Sequence, residues 1–82
     1  MTSKEMAIRI PLDARPAAEL VALASRYESS VYIACGNKRV NAKSIMGMMS
    51  LALPVGAELS VTIDGADEEA AMDAVWKYLS GN

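Results

Sequence analysis

Two short segments of this 82-residue sequence hold the groups best placed to do chemistry. In Leu12-Asp13-Ala14-Arg15-Pro16-Ala17-Ala18 a carboxylate lies two residues ahead of a guanidinium, beside a proline of the kind that opens helices. Arginine's planar fork suits phosphate or carboxylate. In Asn41-Ala42-Lys43-Ser44-Ile45-Met46-Gly47-Met48-Met49-Ser50-Leu51 a serine hydroxyl stands in front of an apolar run. Such a hydroxyl can cap a helix or accept a phosphoryl group. The chain has no histidine, so the usual near-neutral nucleophile and base is missing. It also lacks a Gly-rich phosphate loop, a Ser/His/Asp set and metal-ligand spacing. Neither a self-contained enzyme nor a metal or cofactor is expected.

Composition narrows the class further. A chain of this length predicts one domain over residues 1–82, near the lower limit at which a core alone offsets chain entropy. One cysteine, Cys35, cannot form an intramolecular disulfide or, without histidine, a four-ligand zinc site. Eight basic and ten acidic residues give a charge of -2 and argue against direct nucleic-acid binding, which rests on many Lys/Arg phosphate contacts. Met1 to Met6 is polar, and no apolar stretch approaches the roughly 20 residues that span a bilayer. A cytoplasmic protein without membrane contact is the expectation.

The elements that must position the two segments follow from periodicity. Met6, Ile8 and Ile10 alternate with polar or small residues and predict a first strand over Lys4 to Ile10, ended by Pro11. Pro16 opens a helix with Ala17, Leu20, Val21 and Ala24 on its inner face, running to about Tyr27. Ser30 to Cys35 and Lys38 to Ala42 read as strands joined by a Gly36-Asn37 turn. Ser44 to Leu53 predicts a short helix stopped by Pro54, and Leu59, Val61 and Ile63 a fourth strand closed by Gly65. Asp67 is placed to N-cap a last helix with Glu68 and Glu69 in its first turn and Met72, Val75 and Leu79 as its apolar stripe, ending near Gly81. The order βαββαβα calls for an α+β two-layer sandwich with helices on one face of a sheet. Periodicity leaves strand order open, and a ferredoxin-like module with an added helix has the same order of elements.

Together the two segments resemble the two sites of bacterial HPr-type phosphocarriers, over about Lys4 to Leu79. The resemblance implies an open-faced sandwich of four antiparallel strands covered by three helices. In that family an active-centre histidine, followed after one residue by Arg-Pro-Ala, takes a phosphoryl group from the phosphoenolpyruvate-dependent enzyme I and passes it to sugar-transport proteins. Here Asp13 stands in the histidine's place, while Arg15 and Pro16 match the phosphate-holding arginine and the helix start. Ser44 matches the family's regulatory serine, the substrate of HPr kinase/phosphorylase. The seryl-phosphorylated form is the corepressor of a LacI/GalR-type transcription regulator in carbon catabolite repression. The sequence is most similar to the Crh type, which also lacks the histidine and carries glutamine there.

Asp13 admits three readings: an acidic residue at a helix start accepting a backbone N–H, a fixed charge imitating or repelling a phosphorylated site, or an aspartyl-phosphate carrier. The last requires an acyl phosphate, normally formed among further acids and Mg²⁺. Arg15 is either a surface cation paired with Asp13 or a fork aimed at a partner's anion. Around Ser44 the helix is apolar on nearly all sides, and Gly47 weakens it by about 1 kcal/mol relative to alanine. Helical geometry sends Met48 and Leu51 or Ala52 to the core and leaves Ile45, Met46 and Met49 as an exposed patch for partners. The alternative is a methionine-rich core helix. Trp76 is expected to pack and Cys35 to be buried, and Tyr27, Tyr32 and Tyr78 carry no assigned role. The expected function is that of a regulatory HPr-like protein of the sugar phosphotransferase system, phosphorylated on Ser44. Its alternatives are phosphotransfer through Asp13 and a docking module that is never phosphorylated.

Overall fold

Alternating apolar residues give four strands one dry face each, and the antiparallel sheet that results runs in the order β1-β4-β2-β3. In the computed structural model, which describes residues 1–81, β1 is Thr2–Ala7, β2 Ser30–Cys35, β3 Lys38–Asn41 and β4 Glu58–Asp64. Helices α1 (Ala14–Ala24), α2 (Ile45–Met49) and α3 (Glu68–Leu79) complete the predicted order βαββαβα. Met6, Val31, Ile33, Val40, Leu59, Val61 and Ile63 line the inner face. Against them pack Ala17, Leu20 and Ala24 of α1, Met48 of α2, and Ala71, Met72, Val75 and Leu79 of α3. The other face is polar: Ser3 and Thr62 hydroxyls lie 3.1 Å apart, and the Arg39 guanidinium sits 4.2 Å above the Tyr32 ring.

Several boundaries differ from the sequence expectation, each for a local reason. β1 stops at Ala7 rather than Ile10, because the Ile8 N–H donates to the Ala57 carbonyl and the Arg9 N–H turns to the free carbonyl of Leu79 at the end of α3. Helix α1 begins at Ala14, two residues before Pro16, whose missing N–H falls in the first turn where no helical partner exists. It ends at Ala24. Beyond it, Arg26 and Tyr27 make only tighter bonds, to Leu23 and Ala24. Trp76 packs on the core as expected, with the Lys4 ammonium 5.2 Å from its ring. Cys35 is half-buried rather than buried, its Sγ 3.3 Å from the Glu58 carbonyl oxygen.

Asp67 stands at the start of α3 but does not cap it with its side chain. Its carboxylate instead accepts from the Glu28 N–H at 2.9 Å, from the Ser29 N–H at 3.0 Å, and from the Ser29 hydroxyl. Ser29 is buried, so its donors could not turn to water. The clamp ties the α1–β2 connection to α3. It also explains Gly65, where φ is +155° and a Cβ would fall 2.6 Å from the Ser29 Cα. Glu68 at the first helical position reaches back to the turn before α3, accepting from the Gly65 N–H at 3.2 Å.

The Ser29 hydroxyl above all, then the Glu28 N–H, holds the Asp67 carboxyl below its ordinary value of 3.8. Its stabilisation is therefore complete above that value and lost as acid titrates the folded-state carboxylate. Asp67→Asn is expected to lower the unfolding midpoint at about pH 7, with the gap to wild type closing as the pH falls below the ordinary aspartate range. Thermal melts across that range check this; a gap independent of pH would disprove the clamp's charge dependence.

Candidate functional site

The Asp13 segment is fixed by backbone, not by its side chains. Leu12 pairs with Leu53 through two hydrogen bonds, N–H to carbonyl at 2.8 Å one way and 3.2 Å the other. The Leu12 side chain is buried, and Asp13 follows with an extended backbone into α1. Its carbonyl accepts the first helical bond from Ala17 at 3.0 Å, but its carboxylate caps nothing. The expected backbone N–H contact is absent, and the side chain faces solvent. Arg15 does not pair with Asp13 either. Its Nε lies 3.9 Å from Glu19 Oε2, one helical turn on, with 89% of the side chain exposed. An ion pair so long and wet contributes little, so the guanidinium remains available to another anion. Among the described residues no group of three His, Cys, Asp or Glu side chains could hold a metal around Asp13 or elsewhere.

The Ser44 segment is built as a cap. Asn41 makes the turn, its side-chain oxygen accepting the Lys43 N–H at 2.8 Å and its carbonyl the Ser44 N–H at 3.0 Å. Ser44 Oγ then accepts the Gly47 N–H at 3.2 Å. The helix behind it spans only Ile45–Met49, not Ser44 to Leu53. Ser50 Oγ donates back to the Gly47 carbonyl at 2.7 Å, the Lys38 ammonium takes the Ser50 carbonyl at 2.9 Å, and Leu53 is already committed to Leu12. So short a helix has a small dipole. An anion on Ser44 would meet first-turn N–H groups rather than a long helix field. Met48 is fully buried and Leu51 nearly so, whereas Ile45, Met46 and Met49 are 43%, 82% and 46% exposed. The core-helix alternative fails for those three side chains.

The two segments share one side of the molecule, since α1 packs on α2 and the Leu12–Leu53 pair joins their flanks. Among the described residues no hydrogen bond or ion pair connects Asp13 or Arg15 directly to Ser44. Two residues had no assigned part in the sequence reading. Val55, in the turn after α2, is 60% exposed and adds an apolar side chain beyond the three expected. Tyr78 reaches from α3 to α1, its hydroxyl 2.8 Å from Glu19 Oε1 and 3.2 Å from the Pro16 carbonyl oxygen. Burial, helped by the Glu19 carboxylate, pushes its phenol up to about 12. No sequence signal marks Tyr78, because its partners lie more than fifty residues away. A further link holds the serine turn: the Lys43 ammonium donates to the Tyr27 carbonyl at 2.6 Å, just past the end of α1.

The family model described as PTS HPr component phosphorylation site matches residues 3–80. The chain is 43% identical over 75 residues to the HPr-like protein Crh of Bacillus subtilis, covering 92% of this chain and 88% of that protein. The Crh of Halalkalibacterium halodurans is equally similar, at 43% over 75 residues, covering 92% of this chain and 89% of that protein. The phosphocarrier protein HPr of Treponema pallidum is 46% identical over 67 residues, 82% of this chain and 76% of that one. Among solved structures, the phosphocarrier HPr of Bacillus anthracis superimposes with a TM-score of 0.89 at 40% identity, covering 95% of both chains. The B. subtilis Crh crystal structure, described as a dimer with domain swapping, gives 0.78 at 38% identity over 99% of this chain and 95% of that one.

The division of α2 into anchors and patch has a direct stability consequence. Met48→Ala is expected to cost about 2–5 kcal/mol and Met46→Ala less than about 0.5 kcal/mol. Denaturant unfolding of both variants measures the difference, and equal effects would show that the helix is rotated from the described orientation.

Proposed function

The chain belongs to the HPr family as a Crh-type member, and from that premise we propose that it is a regulatory phosphoprotein of the sugar phosphotransferase system, phosphorylated on Ser44 and not carrying phosphate at position 13. The observation that carries this reading is the contrast between its two sites. At the carrier position an exposed carboxylate stands where phosphotransfer needs an imidazole, with no cluster of metal ligands around it among the described residues. At the regulatory position the hydroxyl is exposed, oriented by a cap, and flanked by uncovered Ile45, Met46 and Met49.

An imidazole offers an unprotonated nitrogen near neutral pH and leaves readily from a phosphoramidate; a carboxylate must form an acyl phosphate while two anions approach. Ser44 faces no such obstacle, because its kinase supplies ATP and the base. Phosphorylation adds about -1.5 to -2 charges and three acceptor oxygens beside the first-turn N–H groups and the apolar patch. A LacI/GalR-type regulator with a basic pocket and an apolar shelf would gain charge-assisted hydrogen bonds from the phosphate and desolvated contact from Ile45, Met46 and Met49. Arg15, whose one ion pair among the described residues is a long contact to Glu19, is free to meet an acidic group of that partner. In this role the protein acts in the cytoplasm as a corepressor, binding a regulator rather than DNA or a membrane.

Two experiments test the assignment. With phosphoenolpyruvate and enzyme I the protein is expected to take up no phosphoryl group; a hydroxylamine-sensitive label on Asp13 would instead make it a carrier. With ATP and HPr kinase/phosphorylase, Ser44 alone is expected to be labelled, and the product to bind a LacI/GalR-type regulator at least tenfold more tightly, on the order of the 1.4 kcal/mol that one charge-assisted hydrogen bond supplies. Ser44→Ala should abolish labelling, and Met49→Asp should preserve it while weakening regulator binding. Peptide mapping and titration calorimetry give both readouts. Labelling confined to Ser50 or Ser60 would remove the assignment, and a labelled Ser44 without tighter binding would remove the corepressor role.

A further inference from the structure

Gly47 is costly where it stands and unexplained by the resting fold. It occupies the third position of the five-residue α2, where glycine is a poorer choice than any residue except proline. The backbone does not ask for it. Gly36, Gly56, Gly65 and Gly81 have the positive φ that favours glycine, and Gly47 does not. The core does not ask for it either. The three heavy atoms nearest to a Cβ built there are Ser44 Oγ at 3.4 Å, Ser44 Cβ at 3.5 Å and the Asn41 carbonyl oxygen at 3.6 Å. These are ordinary van der Waals separations, so alanine fits the unmodified protein. They are also the atoms that surround the hydroxyl proposed to react.

We propose that Gly47 is a positioning residue of the Ser44 site, keeping clear the space that a phosphoryl group enters on the Ser44 hydroxyl. This deepens the proposed function and rests on Ser44 being the residue modified. In the transfer, Ser44 Oγ attacks the γ-phosphorus of ATP held by the kinase. The Oγ–P bond forms as the bond from that phosphorus to the β,γ-bridging oxygen breaks; ADP leaves with the electron pair, and the hydroxyl proton passes to a base of the kinase. The attacking oxygen starts 3.2 Å from the Gly47 nitrogen, which donates to it. A methyl group at residue 47 would touch that same oxygen, on the side where only an amide now lies. The transferred group brings three oxygens around an atom so placed, and a side chain at 47 competes with them for room. Glycine leaves the cap bond intact and the oxygen uncrowded.

The test compares wild type with Gly47→Ala and Gly47→Leu, both better helix formers than glycine. HPr kinase/phosphorylase with ATP is the probe, the rate of Ser44 labelling by intact mass the first readout, and the thermal midpoint of the unmodified protein the second. The expected result for Gly47→Ala is a midpoint at or above that of wild type together with a kcat for phosphorylation about tenfold lower. Its KM should be unchanged, because Ile45, Met46 and Met49 still meet the kinase. Gly47→Leu should be slower still. Labelling of Gly47→Ala at the wild-type rate would overturn the inference, and so would a lowered midpoint, which would make the glycine a requirement of the fold. Absence of label on Ser44 in the wild-type protein would overturn the phosphorylation assignment itself, before any variant is compared.

Discussion

The two hydrogen bonds between Leu12 and Leu53 are the constraint on which the functional face depends. They join the residue just before Asp13 to the segment leaving α2, and the Leu12 side chain is sunk in the core beneath them. One such bond adds only about 0.5–1.5 kcal/mol net, but leaving the paired groups buried and unsatisfied would cost about 1–3 kcal/mol each. The pair therefore acts as a register mark. Helix α1 has to begin immediately after it and α2 has to end before it, so neither site can move without the other.

That arrangement lets a very short helix carry an exposed apolar patch. Five residues cannot hold a helix in water by themselves. Helix α2 is held by its ends and one face: the Ser44 hydroxyl caps its start, the Lys38 ammonium takes a carbonyl at its finish, and Met48 and Leu51 are anchored in the core. Anchorage on one side leaves Ile45, Met46 and Met49 on the other, presented by a turn that is capped at its start and held at its finish. A partner meeting them would not have to order the chain first, which keeps the entropic cost of docking down. The adaptability lies instead in the unbranched methionine side chains.

Around α3, long-range polar contacts replace the local ones that the sequence suggests. Asp67 looks like an N-cap and is instead the acceptor for two N–H groups and a hydroxyl of the α1–β2 connection. Tyr78 bonds to Glu19 and Pro16, at the foot of the helix that bears Arg15. Each ties α3 to an element that local spacing does not connect with it. They brace the helix layer at α3 as the Leu12–Leu53 pair does between the flanks of α1 and α2.

By itself the sequence determined the order of elements, the inner faces of β4 and α3, and the split of α2 into buried Met48 and exposed Ile45, Met46 and Met49. These follow from periods of two and 3.6, which survive in any fold that buries one face. The motif spacing likewise marked Asp13, Arg15 and Ser44 as the residues to examine. Tertiary structure alone decided where elements stop and what their polar groups bind. Ile10 leaves β1 because α3 offers Arg9 a free carbonyl, and α2 ends early because Leu53 is claimed by Leu12. Arg15 lies toward Glu19 rather than Asp13 because α1 starts two residues before its proline and sets them one turn apart. A polar group takes whatever partner the packed chain brings within about 3 Å, and that neighbour is fixed by the meeting of distant segments, which no local pattern encodes.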